Sequence, residues 1–142
     1  MGLNIRLLNG DKCVINGAVI SCRSQRTTLS VENFAQVIRA PDILDQESVK
    51  TPSQHVYFAI QLMLIDPLNS DRHRLHFNTV MAQIFTAYAN PEVIALLRET
   101  LMLVDAADYY QALKRMKQVI LYEKQLLDMC DASVPKKMAT GL

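Results

Sequence analysis

The sequence predicts an α+β protein, with a small antiparallel β module over residues 1–41 and a bundle of about four helices over residues 42–130. Two observations predict this class. Up to residue 40, apolar residues recur at every second position, as in strands, and beyond it they recur at helical spacing. The change falls at Pro41, which fixes its own φ and favours extended geometry at Ala40. We therefore expect the last strand to end at this joint.

Five short segments have the alternation or composition of strands. They are residues 3–7, 12–15, 18–21, 27–31 and 34–39. Asn16-Gly17, between the second and third segments, is the strongest short signal of a β-hairpin. In that register Cys13 pairs with Ile20 on one face. Val14 meets Val19 on the other, so the hairpin is apolar on both faces. It must then be covered on both sides, as in a small barrel, a sandwich or an intertwined dimer.

The β module is too small to be stable alone, because a segment of about forty residues buries little surface. We expect it to pack on the helical part or on a second copy of itself. Directly after the joint, Asp42 is in a position to cap a helical turn through Ile43 and Leu44.

A clear helix start follows at Thr51-Pro52-Ser53-Gln54. Thr51 is a favoured N-cap, proline suits the first helical position, and Gln54 completes a capping box. Residues 57–65 are apolar on almost every side, so this helix should be the buried centre of the helical part. We expect it to end at Asp66-Pro67.

Three further helices are predicted from their caps and apolar stripes. Asn69 or Ser70 caps the second helix, and Asn90-Pro91 begins the third. The residues expected on their buried faces are Phe77, Val80, Met81, Ile84, Phe85 and Tyr88, then Leu96, Leu97, Leu101 and Val104, and finally Tyr109, Ala112, Leu113, Met116, Ile120 and Leu127. The short connection 105–108 makes the last two helices antiparallel neighbours. Residues 131–142 lose the pattern, and a disordered tail is expected there.

The composition excludes several classes of protein. Half of the residues are apolar, but the most apolar run, 56–65, is too short to cross a bilayer. The first residues have no signal-peptide core, so a cytoplasmic protein without membrane contact is expected. Three cysteines without metal-type spacing indicate reduced, partly buried thiols.

No catalytic motif is present, and an enzyme is not expected. The four glycines form no phosphate-binding loop, and neither a nucleophile elbow nor a zinc-protease motif occurs. His73 and His76 lie three residues apart on one predicted helix. A metal site needs three or four ligands, and no third is evident, so a solvated histidine pair is the simpler explanation. Neither a metal nor another cofactor is expected.

Positive charge is concentrated at the start of the chain. Residues 1–41 carry five Lys or Arg against two Asp or Glu, whereas residues 42–142 carry ten against twelve. Arginines on strands can bond phosphates and the edges of exposed bases, although most charge clusters are simply solvated surface. The candidate RNA-binding residues are Arg39, Arg6, Lys12, Arg23 and Arg26. Arg72 and Arg74 form a secondary candidate patch at a helix start, where cations are mildly unfavourable.

Several segments together resemble the FlbT proteins of flagellated alphaproteobacteria, and the resemblance extends to about Leu127. The separate motifs fall in that family's order. They are Gly10 to Ile20, Arg26 to Asn33, Val37-Ile38-Arg39 with Asp42-Ile43-Leu44, Thr51-Pro52 ahead of Tyr57-Phe58-Ala59-Ile60, the Asp66-Pro67 and Asn90-Pro91 breaks, and Tyr109 to Lys114. Cys13 and Cys22 in the hairpin strands and the tail after Met129 depart from the pattern.

The resemblance implies a post-transcriptional regulator of flagellum biogenesis. Such a protein associates with the 5′ untranslated region of flagellin mRNA and promotes decay of that message. Some members act with a small partner, FlaF, and some activate rather than repress. The family supplies no residue-level site that can be carried over to this chain.

A second, weaker resemblance suggests where RNA would bind. The β module is similar to the CsrA-type translational repressors, through Gly10 to Ile15 ahead of the hairpin and a final-strand arginine ahead of a helix. Those proteins form interlocked dimers in which the first strand and that last arginine clamp a looped RNA. The resemblance implies Arg39 as the main RNA contact, Arg6 as its companion and a possible homodimer. Ala40-Pro41, an insertion before the helix, departs from that pattern.

Two hypotheses of function remain open. In the first, the protein binds flagellin mRNA and either blocks its translation or promotes its degradation. In the second, it is an adaptor or chaperone whose helices bind flagellin or a FlaF-like protein. Direct, salt-dependent binding to naked RNA distinguishes the first from the second.

Overall fold

The structure is a computed structural model that describes residues 2–133, with side chains for residues 2–129. Within that range, five strands precede four helices, so the predicted α+β class is confirmed. The strands are β1 (Leu3–Leu8), β2 (Lys12–Ile15), β3 (Ala18–Ser21), β4 (Arg26–Val31) and β5 (Val37–Ile38). The helices are α1 (Pro52–Ile65), α2 (Ser70–Ala87), α3 (Pro91–Asp105) and α4 (Tyr109–Ser133).

The strands form two antiparallel sheets. β1 pairs with β4, with Ile5 opposite Leu29, and this pair is called the outer sheet below. The other three strands form a sheet in the order β3–β2–β5, called the middle sheet. Cys13 lies opposite Ile20 and Val14 opposite Val19, so the predicted hairpin register is confirmed.

The middle sheet contributes side chains to two separate cores. Val14 and Ile38 lie opposite each other and are buried in the core of the helices. Cys13 and Val37 are buried in a smaller core shared with the outer sheet. Strand β2 is therefore covered on both sides, by the outer sheet and by the helices, whereas Val19 on the neighbouring strand β3 is 57% exposed. Within the single chain, the arrangement is a layered sandwich.

The tip of the β2–β3 hairpin is also part of the sheet–helix interface. Asn16 and Gly17 both have left-handed backbone, with φ of 50° and 86°, as this tight turn requires. A Cβ atom at Gly17 would lie 3.2 Å from Cδ of Pro67 and 3.3 Å from the carbonyl oxygen of Ile65. Glycine is thus needed at position 17 for two reasons: Pro67 and Ile65 leave little room for a Cβ atom, and the turn requires a positive φ.

Helix α1 begins and ends as predicted. Thr51 accepts a hydrogen bond from the amide of Gln54, and Gln54 Oε1 accepts one from the amide of Thr51, which completes the capping box. Asp66 is the C-cap. The helix is buried along most of its length, and it contributes Val56, Ala59, Ile60 and Met63 to the main core.

The joint after β5 differs from the prediction that Asp42 caps a helical turn. A short 3₁₀ helix covers Ala40–Asp42 itself, and Ile43 is extended, with φ −78° and ψ 121°. The extended conformation has a partner in α1, because the buried side chain of Gln61 pairs with both backbone groups of Leu44 at 2.8 Å. Tyr57 donates a hydrogen bond to the carbonyl of Asp42, and burial together with the Asp42 carboxylate raises the pKa of Tyr57.

The fifth strand is shorter than predicted. Residues 34–36 precede it as a loop, because the backbone of Gln36 pairs with Asn16 at the hairpin tip instead of extending the sheet. Phe34 projects from this loop and is 84% exposed.

Helices α2, α3 and α4 present their predicted faces to the main core, with one exception. Asn90 caps α3 by accepting a hydrogen bond from the amide of Glu92, whereas Asn69 precedes α2 without a side-chain cap. The exception is Leu127, which is 52% exposed. Leu127 lies beside Pro52, the first residue of α1, and Ala87, the last residue of α2. Because both of these helices end at this level, they do not cover the Leu127 side chain. Helix α4 continues to Ser133, and the rest of the expected tail, 134–142, lies outside the described residues.

Candidate nucleic-acid interface

The outer sheet separates apolar from polar residues by its two-residue period. Leu3, Ile5 and Leu7 of β1 face the small core, together with Leu29 and Val31 of β4. The alternate residues are all exposed and form what we call the outward face. They are Asn4, Arg6 and Leu8 on β1 and Arg26, Thr28 and Ser30 on β4.

Two of the predicted RNA-binding arginines meet on the outward face. Arg6 lies opposite Thr28 and Leu8 lies opposite Arg26. Arg6 and Arg26 are therefore diagonal neighbours, with Cα atoms about 7–8 Å apart. Neither forms an ion pair with any carboxylate of the described residues. Both guanidinium groups are thus available to an anion from solution.

Lys12 and Arg23 do not join this face. Lys12 is exposed at the start of β2 and lies opposite Ser21, on the side of the middle sheet that Val14 presents to the helices. Arg23 is exposed in the connection between β3 and β4. With Arg39 after β5, the predicted set of five cations is therefore spread over four parts of the β module.

Arg39 lies directly after β5 at the joint with the helices. Its backbone is extended and its side chain is partly buried. Its Nε atom is buried without a hydrogen-bond partner among the described residues. A buried donor of this kind is uncommon in a folded protein and is satisfied when a suitable acceptor binds.

The secondary patch is largely engaged in contacts within the chain. Arg74 pairs with Asp105 at the end of α3 and lies over the ring of Phe77, 5.7 Å from its centroid. His73 lies 3.0 Å from Asp66, at the end of α1. Hydrogen bonds from His73 and Asn69 lower the pKa of the Asp66 carboxyl. Arg72 is exposed and stands apart from these pairs.

An apolar cleft at one end of the sandwich was not predicted. It has a volume of about 460 Å³, and Leu3, Val31, Ala35 and Val37 line it. Phe34 and Tyr110 stand at its edge. The only sequence signal was Phe34, an aromatic residue directly after the polar Glu32-Asn33 turn, and the prediction assigned it to a strand.

Gln36 holds the walls of this cleft together. Its Nε2 donates to the carbonyl of Ala107 at 2.8 Å, and its Oε1 accepts from the amide of Tyr110 at 3.1 Å. Its backbone amide donates to Oδ1 of Asn16 at 2.8 Å. The backbone of Gln36 thus fixes the loop before β5 to the hairpin tip, and its side chain fixes the loop to the start of α4.

Other chemistry is sparse in the described part of the chain. Cys13 and Cys22 are free and buried, and burial raises the pKa of the Cys13 thiol, which keeps it protonated and unreactive. Over the described residues, no three His, Cys, Asp or Glu side chains are grouped as a metal site would require. No helix in that range has the length and hydropathy of a membrane span.

Comparison with known proteins gives a consistent result. Residues 3–127 match the family described as "Flagellar protein FlbT". A flagellum biosynthesis repressor protein FlbT of Caulobacter vibrioides (strain ATCC 19089 / CIP 103742 / CB 15) is 31% identical over 134 residues, which cover 94% of this chain and 95% of the relative. A probable flagellum biosynthesis repressor protein FlbT of Caulobacter sp. (strain K31) is 32% identical over 127 residues, with coverage of 89% and 97%. The probable flagellum biosynthesis repressor protein FlbT 1 of Bradyrhizobium diazoefficiens is 29% identical over 140 residues, with coverage of 98% and 94%. No solved structure gives a significant match.

Proposed function

The chain belongs to the FlbT family, and on that premise we propose that it represses flagellum biogenesis after transcription by binding the 5′ untranslated region of flagellin mRNA. The repressor role is supported by the relatives, which are named as flagellum biosynthesis repressor proteins. The RNA target is the step that this proposal adds to those names.

The outward face of the outer sheet is the observation that carries the proposal. Apart from Leu8 it is a polar, solvent-exposed strand surface, and its two arginines, Arg6 and Arg26, have no ion-pair partner among the described residues. A buried apolar face lies behind it. Single-stranded RNA is commonly held on such a sheet, because arginines reach phosphates while short polar side chains approach the bases. Thr28 and Ser30 supply hydroxyl groups of that kind.

Arg39 extends the proposed contact toward the helices. Its guanidinium makes no hydrogen bond among the described residues, and because Nε is buried, a phosphate oxygen would bond to the terminal nitrogens. Bound RNA would then be blocked from the ribosome or left open to nucleases. The protein itself performs no chemistry in this scheme.

The test is direct binding of the full chain to its flagellin 5′ untranslated RNA, by gel shift at about 50 mM and about 200 mM salt. We expect binding that weakens as salt rises. Replacing Arg6 or Arg26 by Ala should each cost about 1–3 kcal/mol of binding free energy and lower the salt slope by about 1. Arg39→Ala should weaken binding in the same range.

Arg98→Ala is the matched control, because Arg98 is an exposed arginine on α3, away from the sheets. It should leave the affinity unchanged. If the wild type binds no RNA at either salt concentration, the proposal is wrong. If it binds but neither Arg6 nor Arg26 matters, the site lies elsewhere, and Arg72 is the next candidate.

A second candidate function is a protein-binding adaptor, and one observation on α4 favours it. Leu121 is 57% exposed and stands between two clefts of about 270 Å³ and 280 Å³. The first cleft is lined by Ile43, Leu44 and Ile120, with Lys124 and the ion pair of Lys117 with Asp42 also at its wall. An apolar ridge beside the cation of Lys124 suits an amphipathic helix that carries an acidic residue.

The adaptor function predicts stable co-purification with flagellin or a FlaF-like protein, lost on Leu121→Asp. Leu75→Asp is a fair control, because Leu75 is 68% exposed on α2, away from both clefts. RNA binding without such a complex would favour the first function.

A further inference from the structure

The cleft at the end of the sandwich has an aromatic ring that does not fill it. Phe34 stands at the edge of the cleft, yet 84% of it is exposed. An exposed phenylalanine gains nothing from the core, and exposed apolar surface beside a cleft commonly marks a binding site. The volume of about 460 Å³ lies within the range of about 300–1,000 Å³ typical of small-ligand sites.

The walls of the cleft combine apolar and polar groups. Leu3 and Val31 form part of its apolar lining, and Tyr110 provides a second aromatic ring. Glu32 and Asn33 add a carboxylate and a side-chain amide to the same cleft. Aromatic rings with a few amide and carboxylate groups are the partners that proteins use for unpaired bases, which stack on rings and bond through their edges.

The cleft opens at the end of the outer sheet on the face opposite to the outward face, because Leu3 and Val31 both face the small core. Val31 ends β4, and Thr28, opposite Arg6, lies three residues before it. Strand geometry places those two positions about 10 Å apart. Nζ of Lys114 lies 4.8 Å from the centroid of the Tyr110 ring, which brings another cation close to the cleft. Lys114 therefore stands beside the cleft and Glu32 lies within it, whereas Arg6 is reached by passing round the end of the sheet to its other face.

The cleft is also held in shape before any ligand arrives. The side chain of Gln36 bonds to Ala107 and Tyr110 in the turn before α4 and at its start, and the residue's backbone bonds to the hairpin tip. The loop that carries Phe34 is therefore anchored two residues from the exposed ring. Pre-organisation of this kind reduces the entropy lost on binding.

We propose that this cleft binds one unpaired base of an RNA strand, stacked on Phe34, while the strand's phosphates pass over Arg6 on the outward face. The inference rests on the proposed RNA-binding function and adds a base-recognising site to it. Glu32 and Asn33 are the groups that would distinguish one base edge from another. An RNA base suits the observations better than an apolar protein side chain, because Lys114 stands beside the Tyr110 ring and the arginines of the outward face lie round the end of the same sheet.

Substitution of Phe34 tests the site without disturbing the core. Phe34→Ala should weaken binding to the flagellin 5′ untranslated RNA by about 5–150-fold, which corresponds to the 1–3 kcal/mol of one stacked base. Phe34→Tyr should retain wild-type affinity, and Phe34→Leu, apolar but not aromatic, should resemble Phe34→Ala. Leu68→Ala is the matched control, since Leu68 is 97% exposed and lies far along the chain on the turn before α2.

A spectroscopic measurement separates stacking from simple charge attraction. The chain contains no tryptophan, so Phe34→Trp introduces a single reporter at the cleft. We expect a single-stranded RNA oligonucleotide to quench its fluorescence. Polyphosphate, which has the charge but no bases, should bind without quenching. Equal quenching by both polyanions would overturn the inference.

The remaining outcomes separate this inference from the proposed function. Wild-type binding that every Phe34 variant retains would overturn the base site and leave the RNA-binding function standing. No binding by the wild type would overturn both. If Phe34→Ala instead converts a dimer into a monomer in light-scattering measurements, a second copy occupies the cleft and the base site is wrong.

Discussion

At the scale of single residues, Glu123 is a carboxylate buried among the helices. It is 6% exposed and accepts hydrogen bonds from Ser53 on α1 at 2.5 Å and from Tyr88 after α2 at 2.8 Å. Burial and the bond to Glu123 raise the pKa of the Tyr88 hydroxyl, so it stays a donor at neutral pH. One side chain of α4 thus satisfies polar groups from α1 and from the residue that follows α2.

Removing this carboxylate should be costly. Glu123→Ala leaves the buried hydroxyl of Ser53 and the partly buried hydroxyl of Tyr88 without their acceptor, and we expect a loss of about 2–3 kcal/mol in the free energy of unfolding. Urea denaturation followed by circular dichroism measures it. Glu99→Ala removes the exposed partner of Arg115 and should cost less than about 1 kcal/mol. Equal losses in the two variants would contradict the role given to Glu123.

Asp66 makes a pH-dependent contribution to stability. Bonds from His73 and Asn69 lower the pKa of its carboxyl below the value in the unfolded chain, which is about 3.9. The folded state therefore gains stability that is fully present above about pH 4 and is lost as the pH falls through the lowered pKa. Asp66→Asn should reduce the urea midpoint at pH 7, and the difference from wild type should shrink as the pH falls below 4. A difference that stays constant between those pH values would show that the charge on Asp66 is not responsible.

At the scale of elements, the β2–β3 hairpin depends on glycine for two separate reasons. Gly17 and Gly10 share a φ of 86°, so replacing either by Ala introduces the same backbone strain. Only Gly17 has Pro67 and Ile65 against it, whereas no atom lies within 4 Å of a Cβ at Gly10. Comparing the Ala substitutions at Gly10 and Gly17 therefore separates the effect of backbone strain from the effect of steric crowding at the sheet–helix interface.

Gly17→Ala should destabilise the protein more than Gly10→Ala does. We expect about 1 kcal/mol for the strain alone at Gly10 and an additional amount of about 1 kcal/mol at Gly17 for overpacking. Thermal unfolding of both variants beside wild type gives the comparison. If the two changes are equally destabilising, the hairpin tip does not pack closely on the end of α1.

The elements were predictable where their signals are local. The Asn16-Gly17 turn and the Thr51–Gln54 capping box each act over four residues or fewer, and both have the predicted form. The joint was not predictable in this way, because the extended backbone at Leu44 has its partner in Gln61, seventeen positions away. The cleft was not predictable for the same reason, since the Gln36 side chain bonds to Ala107 and Tyr110, which lie in a distant part of the chain.

The candidate site was predictable only in part for a related reason. The alternation of β1 and β4 places Arg6 and Arg26 away from the apolar face, but only the pairing of these strands makes them neighbours. That pairing joins the first strand of the β module to the fourth. The sequence alone therefore named the cations without showing which of them share a surface.

At the scale of the whole molecule, the middle sheet should make unfolding a single cooperative event. Val14 and Cys13 are adjacent in sequence yet belong to different cores. If the helical core is lost, the face of the middle sheet that carries Val14 becomes exposed, and the other face of that same sheet packs on the outer sheet. We therefore expect the two cores to unfold together.

Two probes inside the protein can test this cooperativity. All five tyrosines lie beyond residue 56 and report on the helical part, while Cys13 and Cys22 report on the small core. In a Cys130→Ser background, thiol labelling and tyrosine fluorescence should give the same urea midpoint. Labelling that is complete at a lower urea concentration than the tyrosine transition would show that the β module unfolds first.

The shared middle sheet also has a consequence for the synthesis of this protein. The β module leaves the ribosome first, but the helix-facing side of the module, with Val14 and Ile38, has no cover until α1 has emerged. The main core closes only when α4, the last helix described, supplies Ala112 and Met116. A nascent or prematurely terminated chain therefore exposes apolar sheet surface to chaperones and proteases. Only a completely translated polypeptide presents its arginines on a stable surface, so the cell obtains a working regulator only from full-length translation.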